Sequence, residues 1–165
     1  MNDELLASLS NAIGSASEIA ELGEILVDFF QGSVQFDRLN IGLIDVDAHT
    51  FKDAFVYGQN VSGRNLGNVR TLDGTVVEAA LASNGVFAFA HHDLDAWLGR
   101  FPRFGPVYDS GMRKMLAILL KNRLGGSNAA LVLASTNSAP YETEKMRVIQ
   151  RVAAIAAERL FELER

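Results

Sequence analysis

Residues 111–135, GMRKMLAILLKNRLGGSNAALVLAS, decide the fold of this 165-residue chain. They contain two apolar runs, 113–121 and 128–135, separated by a turn around Gly125 and Gly126. In each run both alternating sets of side chains are apolar, which is typical of a strand that is covered on both faces of its sheet. Glycine adopts a positive φ without steric cost, so the glycine pair indicates a hairpin turn. The stretch therefore predicts an antiparallel hairpin at the centre of a covered sheet.

The composition is that of an ordinary globular protein, with 48% hydrophobic and 21% charged residues. A chain of this length buries one sizeable core, so we expect a single domain over residues 1–165. A net charge of −5 without a compact cluster of Lys and Arg argues against a nucleic-acid partner. No apolar run approaches the roughly 18 residues that span a bilayer, and the N-terminus is acidic. We therefore expect no membrane partner and a cytoplasmic location.

Helices are predicted at both ends of the chain. The N-terminal segment, 1–31, reads as two helical pieces, and Ser15 followed by Glu18 predicts the capping box that begins the second piece. The C-terminal helix is predicted over 140–165. Its apolar residues form a seam suited to a partner helix: Met146, Ile149, Val152, Ala153, Ala156, Leu160 and Leu163. We therefore expect a homodimer through the terminal helices.

Residues 33–138 are predicted to form the sheet core with its pocket loops. Two strands, 36–45 and 50–57, come first, and period-two alternation places three aromatic side chains of the second strand on one face: Phe51, Phe55 and Tyr57. Residues 58–74 are a polar loop rich in Gly and Asn. Strand pairs joined by short turns indicate an antiparallel sheet.

A short helix and a short strand follow the polar loop. Thr75 and Glu78 have capping-box spacing and begin a helix over 76–83, and a buried strand is predicted over 86–90. Residues 91–110 mix aromatic and polar groups without a clear period. The order predicts an α+β domain, with a central antiparallel sheet of about five to six strands covered on both faces and helices at both chain ends.

This order and four phrases resemble the GAF domain family, the small-molecule sensing modules of signalling proteins. The phrases are FDRLNIGLID, GTVVEAALASNG, the 111–135 hairpin and PYETEKMRVIQRVAAIAAERL, within residues 17–160. The resemblance implies a GAF-like fold and a ligand-sensing regulatory domain. It implies a ligand between one sheet face and residues 73–113. Separately, the apolar seam of the C-terminal helix predicts that this helix continues into an output domain of a longer parent protein. The ligand and any cofactor are left unassigned.

The residues present narrow the activities that the resemblance implies. The Asn-Lys-Phe-Asp-Glu signature of cyclic-nucleotide-binding members is not recognisable here. Members that reduce free methionine sulfoxide or attach bilins use cysteine, and this chain has none. The sequence also lacks GxSxG, HExxH and P-loop motifs. We therefore predict that the chain is not an enzyme.

The candidate ligand-binding residues fall mostly within or beside the irregular segment, where binding loops on a rigid scaffold are common. They are Tyr57, Thr75, Phe89, His91, Trp97, Arg103, Phe104, Tyr108 and Arg113. The aromatic residues form either a lid over a pocket or a small core beneath a long loop. Thr75 either caps its own helix or lies beside free N–H groups that bind an anion.

The histidines and arginines have alternative roles as well. His91 and His92 follow a strand, so we expect their side chains on opposite sides, with His91 and Asp93 together. Such a group holds a metal or haem, orients a ligand, or forms a surface turn. Arg100, Arg103 and Arg113 either clamp an anionic ligand or are solvated surface residues.

Two functions of different classes therefore follow from the sequence. The first is a sensor that binds a small molecule and signals through dimerising terminal helices. The alternative is a dimerisation or interaction module whose pocket holds no ligand. A haem- or metal-binding sensor through His91 or His92 is a third interpretation.

Overall fold

The computed structural model describes residues 2–164 of the chain. The strands are β1 (Arg38–Asp45), β2 (Thr50–Gly58), β3 (Val69–Thr71), β4 (Val86–Ala90), β5 (Lys114–Lys121) and β6 (Ser127–Ser135). The helices are α1 (Asp3–Gly14), α2 (Ile19–Gln31), α3 (Val76–Ala82), α4 (Leu94–Arg100), α5 (Gly105–Asp109) and α6 (Thr143–Leu163). The six strands form one antiparallel sheet in the order β3-β2-β1-β6-β5-β4. The predicted α+β class is confirmed.

The β5–β6 hairpin lies inside the sheet, as its sequence predicts. Leu116 pairs with Leu133 and Ile118 with Leu131, and the turn includes Gly125 at a φ of +83°. Alternate side chains along both strands enter two different apolar cores, one on each face of the sheet. Both faces are therefore covered.

Three long helices cover one face and build what we call the helix-side core. Helices α1, α2 and α6 bring apolar residues onto the even-numbered side chains of β5 and the odd-numbered ones of β1 and β6. The fully buried members include Leu22, Leu26, Phe30, Leu39, Ile41, Leu116, Leu131, Val152 and Leu160. Each such side chain stabilises the fold by about 1.5–3 kcal/mol relative to its exposed state.

The loop 59–68 and helices α3, α4 and α5 cover the opposite face, and we call these segments the roof. Roof residues pack on the other set of strand side chains to form the roof-side core. Its buried members include Phe51, Val61, Leu72, Val77, Trp97, Phe104, Ala117 and Val132. The roof is built from short elements, so most of its order comes from these apolar contacts.

Three elements were not predicted from the sequence. Strand β3 lies inside the predicted polar loop, and helices α4 and α5 lie inside the segment described as irregular. All three are shorter than two full periods of the pattern that would reveal them. The predicted helical segments begin at Met1 and end at Arg165, which lie outside the described residues.

The first capping prediction is wrong. Helix α2 has Glu18 at its N-cap without a side-chain cap bond. The hydroxyl of Ser15 donates to the carbonyl of Ala12 and so ends α1 instead. The carboxylate of Glu21 accepts from the hydroxyl of Ser17 at 2.7 Å and from its N–H at 3.2 Å. The polar pair at the start of α2 is therefore Ser17 and Glu21, not Ser15 and Glu18.

The apolar seam of α6 packs within its own chain, against the sheet and helices α1 and α2. Ile149, Val152, Ala156 and Leu160 are each fully buried against the helix-side core of the same chain. A globular helix that packs on its own sheet shows the same three-and-four spacing as a coiled-coil seam. A dimer through the terminal helices would therefore use their outer faces.

Strand β2 contains a β-bulge that corrects the predicted faces of its aromatic residues. Ile41 pairs with Phe55, but Gly42 pairs with Asp53, so Ala54 is the extra residue. A single extra residue reverses the side-chain alternation beyond it. Phe51 therefore enters the roof-side core and Phe55 the helix-side core.

Gly42 leaves the space that the ring of Phe51 occupies. A Cβ built on Gly42 would lie 1.8 Å from Cζ of Phe51. We expect Gly42→Ala to reduce the free energy of unfolding by about 1–3 kcal/mol, the usual cost of overpacking. Chemical denaturation measures this loss. Gly99→Ala is the matched control, because a Cβ there meets nothing within 4 Å. A loss no larger than that of the control would contradict the packing seen at Gly42.

Candidate functional site

A cavity of about 50 Å³ lies between the roof and the sheet. One part of its wall is apolar and is formed by Phe51, Val61, Val76, Val77, Phe101, Phe104, Val107, Met115, Val132 and Ala134. The other part is polar and comprises Arg38, Asn40, Arg64, Arg70, Thr75 and Arg103. Mixed walls of this kind, mostly apolar with a few converging polar groups, are typical of small-molecule sites.

Asp53 anchors the polar wall from beneath. Its side chain is completely buried, because β2 turns it toward the roof side next to Gly42. Nη2 of Arg70 donates to both carboxylate oxygens of Asp53, at 2.9 and 3.1 Å, and Nδ2 of Asn40 donates to Oδ1 at 3.1 Å. A buried carboxylate is stable only when paired and hydrogen-bonded in this way.

The other arginines of the wall bind main-chain carbonyls. Arg38, itself only 5% exposed, donates to the carbonyls of Gln59, at 2.9 Å, and Arg64. Nη2 of Arg64 donates to the carbonyl of Arg103 at 2.9 Å, and Nε of Arg103 donates to that of Asp73 at 3.1 Å. These bonds connect β1 to the loop 59–68, that loop to the segment after α4, and that segment to Asp73 just before α3.

The polar wall of the cavity carries positive charge, because, among residues 2–164, four arginines and no Asp or Glu line it. Burial lowers the pKa of the Arg38 guanidinium, with repulsion from Arg70 adding to the effect. Burial, together with repulsion from Arg70, Arg38 and Arg103, lowers the pKa of Arg64 to about 10. Asp53 acts in the opposite direction on both groups. The four guanidinium groups are therefore close enough to repel one another across the cavity.

Thr75 caps α3, which is the simpler of its two predicted roles. Its Oγ1 accepts from the N–H of Glu78 at 3.2 Å, and the side chain of Glu78 accepts from the N–H of Gly74 at 3.1 Å. The predicted cap by Thr75 is confirmed, whereas the return bond of Glu78 goes to the residue before the N-cap and not to Thr75 itself. Thr75 also lines the cavity.

The predicted aromatic residues form a small core that also closes the cavity. Trp97 is fully buried and stacks on Phe104 with ring centroids 3.8 Å apart. Phe89 meets Trp97 edge-on at 4.6 Å. Phe104 lines the cavity, whereas Phe89 and Trp97 lie behind it. Both interpretations therefore hold in part, because the aromatic residues form a core beneath a loop and two of its rings, Phe101 and Phe104, line the cavity.

The polar residues predicted near His91 lie outside the cavity wall. Nδ1 of His91 accepts from the N–H of Asp93 at 3.0 Å. The hydroxyl of Tyr108 donates to the carbonyl of His92, and Arg113 lies over the ring of Tyr108 at 3.5 Å. These contacts hold the segment after β4 against α5 and position the roof.

Tyr57 lies on the opposite face of the sheet from the cavity. Its hydroxyl accepts from Nε2 of Gln31 at 2.6 Å, and its ring lies 6.3 Å from that of Phe36. The β-bulge at Ala54 accounts for this position. Of the nine candidate residues, Thr75, Arg103 and Phe104 line the cavity.

Two groups of side chains have the composition of a metal site. His91, His92 and Asp93 have potential ligand atoms within 4.8 Å of one another, and so do His49, Asp73 and Glu78. The rings of His91 and His92 are stacked at 5.1 Å, so the prediction that they face opposite sides is wrong. Strand β4 ends at Ala90, and alternation does not continue into the turn.

A larger open groove of about 590 Å³ lies between α6 and the tip of the β5–β6 hairpin. Its charged residues carry both signs: Lys121, Arg123, Glu158 and Glu162. None of the nine predicted residues lines it. The cavity beneath the roof is therefore the better candidate site.

The sequence interpretation missed most of the polar wall. Arg38 and Asn40 alternate with Leu39 and Ile41 in a strand that is covered on both faces. Polar residues at such positions must be buried, which is the signal that identifies them. Asp53 gives no comparable signal. The bulge at Ala54 cannot be recognised in the sequence, so the alternation of β2 does not show on which face of the sheet Asp53 lies.

Solved structures of known proteins share this architecture. The GAF domain of a two-component sensor histidine kinase from Bacillus halodurans has a TM-score of 0.76 at 14% identity, over 90% of this chain and 97% of that one. The GAF domain of a phosphoenolpyruvate-protein phosphotransferase from Acinetobacter has a TM-score of 0.74 at 15% identity, over 99% and 96%. No family model and no curated protein matches the sequence.

One neighbour corrects the prediction that the chain is not an enzyme. The free methionine-R-sulfoxide reductase from Neisseria meningitidis, solved with its substrate, has a TM-score of 0.71 at 15% identity, over 98% of this chain and 89% of that one. This architecture therefore supports catalysis in some proteins and sensing in others. The absence of known catalytic motifs does not decide whether a chain with this fold is an enzyme, because one fold hosts different sites.

The six-stranded antiparallel sheet of this chain belongs to a structure that superposes on both GAF domains with TM-scores of 0.74 and 0.76. Within residues 2–164, no helix combines the length and the apolar character needed to cross a bilayer. The likeness extends over nine-tenths or more of this chain. The chain has a GAF-like fold.

Proposed function

We propose that this chain is a ligand-sensing regulatory module, and that its small-molecule ligand lies in the cavity between the roof and the sheet. The observation that carries this proposal is the mixed wall of the cavity, in which apolar side chains face a set of converging arginines. A structural neighbour from a sensor histidine kinase has the same fold, which supports a role in signalling by analogy. The cytoplasmic location stays a prediction.

Strand β2 offers a route from the cavity to the terminal helices. On the roof side, Phe51 lines the cavity. Beyond the bulge, Phe55 packs into the helix-side core and Tyr57 contacts Gln31 of α2. A ligand that binds one arrangement of β2 more tightly than another would shift the position of α2. An output domain in a longer parent protein, or a homodimer through the outer helix faces, would respond to that shift.

The small volume of the cavity favours a second candidate function. About 50 Å³ is far below the range of a few hundred Å³ that drug-sized ligands occupy. An interaction module whose cavity holds no ligand would need no more space. Under this alternative the arginines serve only to connect the loops of the roof.

A thermal-shift screen with a matched pair of variants separates the two functions. Ala134 lines the cavity from β6, so Ala134→Leu fills it. Ala88 is exposed on β4, so Ala88→Leu adds the same atoms elsewhere. The screen includes nucleotides, amino acids, small carboxylates and phosphates. We expect at least one compound to raise the melting temperature of the wild type and of Ala88→Leu by several degrees.

The same compound should leave the melting temperature of Ala134→Leu unchanged. Circular dichroism of each variant checks that the variant is folded. Equal shifts in both variants would place the ligand outside the cavity. No shift with any compound would favour the interaction module.

A further inference from the structure

The cavity wall concentrates positive charge in a chain whose net charge is −5. Arg38, Arg64, Arg70 and Arg103 all line it, and no Asp or Glu does. Asp53 lies beneath the wall and pairs with Arg70. Within residues 2–164, it is the one carboxylate that pairs with any of these arginines. Four guanidinium groups and one carboxylate therefore leave an excess of three positive charges around the cavity.

The hydrogen bonds of Arg38, Arg64 and Arg103 do not remove their charge. These arginines donate hydrogen bonds to the main-chain carbonyls of Gln59, Arg64, Arg103 and Asp73. A carbonyl is a dipole, whereas a carboxylate or phosphate carries a full charge and forms roughly twice as strong a hydrogen bond with Arg. Each guanidinium has five N–H donors and uses one or two of them here. The donors and the charge for an anion are therefore present.

Burial makes such an arrangement costly without an anion. Arg38 is 5% exposed, and an ion removed from water loses several kcal/mol of solvation unless an opposite charge replaces the water. Repulsion among the guanidinium groups adds to this cost: burial first, and repulsion from Arg70, Arg38 and Arg103 after it, lower the pKa of Arg64. A hydrogen bond to a main-chain carbonyl does not itself require a charged donor, since neutral N–H groups donate to carbonyls as well.

We propose that the ligand of this cavity is a small anion, whose carboxylate or phosphate group is bound by Arg38, Arg64 and Arg103 and whose apolar part contacts Phe51 and Phe104. This inference rests on the proposed function and adds the chemical class of the ligand. Arg70 stays with Asp53 and orients the site. Planar guanidinium groups suit the bidentate recognition of both kinds of anion.

Fluorescence titration of the native protein tests the charge directly. Trp97 is the one tryptophan of the chain, and it stacks on Phe104 in the cavity wall. The probes are propionate, inorganic phosphate and propionamide, which is the neutral counterpart of propionate. The total ionic strength is held constant with chloride. We expect propionate or phosphate to bind at least about tenfold more tightly than propionamide.

Two arginine variants and one control identify the residues that bind. Arg64→Met and Arg103→Met should each weaken anion binding about tenfold, and Arg103 is exposed, so its replacement is tolerated by the fold. Arg147→Met is the matched control, because Arg147 is exposed on α6, pairs with Glu144 and lies outside the cavity wall. It should bind as the wild type does. Tighter binding of propionate than of phosphate would identify a carboxylate site, and the reverse order would identify a phosphate site.

Failure of this inference is distinct from failure of the proposed function. Propionamide or another neutral compound that binds as tightly as propionate, with binding lost in Ala134→Leu, would keep the sensor and overturn the anion. Anion binding that Arg64→Met and Arg103→Met leave unchanged would overturn the assignment of these arginines. No binding by any probe or screened compound would overturn both proposals.

Discussion

Replacing Asp53 by Ala is expected to lower the free energy of unfolding by about 3–5 kcal/mol, the usual cost of removing one partner of a buried ion pair. The carboxylate is completely buried and accepts from Arg70 and Asn40. Its removal leaves the guanidinium of Arg70 without a counter-charge, beside three other arginines. Urea denaturation followed by circular dichroism measures the loss.

Two further variants make the Asp53 result specific. Asp47→Ala removes an exposed carboxylate from the β1–β2 turn, and the stability should change by no more than about 0.5 kcal/mol. Adding Arg70→Met to Asp53→Ala removes the unpaired charge, so the double variant should be more stable than Asp53→Ala alone. A loss for Asp53→Ala that is as small as that of Asp47→Ala would show that the carboxylate is not buried and paired.

Trp97→Ala is expected to cost about 3–5 kcal/mol, the range for removing a large aromatic side chain from a core. Trp97 is fully buried, stacks on Phe104 and donates from Nε1 to the carbonyl of His91 at 2.7 Å. The variant loses the packing of the roof as well as this bond. Thermal and chemical denaturation should agree on the size of the loss.

Trp97→Phe separates the two contributions. It keeps an aromatic ring on Phe104 but loses the hydrogen bond to His91, so we expect a loss smaller than that of Trp97→Ala. The rest of the fold provides an internal check, because the helix-side core does not include Trp97. A Trp97→Ala variant as stable as the wild type would mean that the aromatic residues form a mobile lid and not a core.

The central hairpin and the two covered faces could be predicted because their signals are local and repeated. Leu116 and Ile118 alternate with Ala117 and Leu119 over a full strand, and both sets turn out to be buried. The cap at Thr75 could be predicted equally well, because Thr75 and Glu78 lie three positions apart in the sequence. A pattern that repeats within one element can be recognised in the sequence even when the elements that pack against it are not known.

The candidate site could be predicted only in part because its geometry depends on events between elements. One extra residue at Ala54 moved Tyr57 away from the cavity. The polar wall is assembled from β1, the loop 59–68, β3 and the segment after α4, which no single stretch of sequence reveals. The apolar seam of α6 could be recognised as a pattern, but it packs against the sheet and helices α1 and α2 of the same chain.

Native mass spectrometry of the freshly purified protein tests the ligand-sensing function most directly. The wild type is measured as purified and after incubation with a mixture of small carboxylates and phosphates, beside Ala134→Leu and Ala88→Leu. We expect the wild type and Ala88→Leu to carry an added mass that Ala134→Leu lacks. Wild-type protein that carries no added mass under either condition would contradict the ligand site beneath the roof.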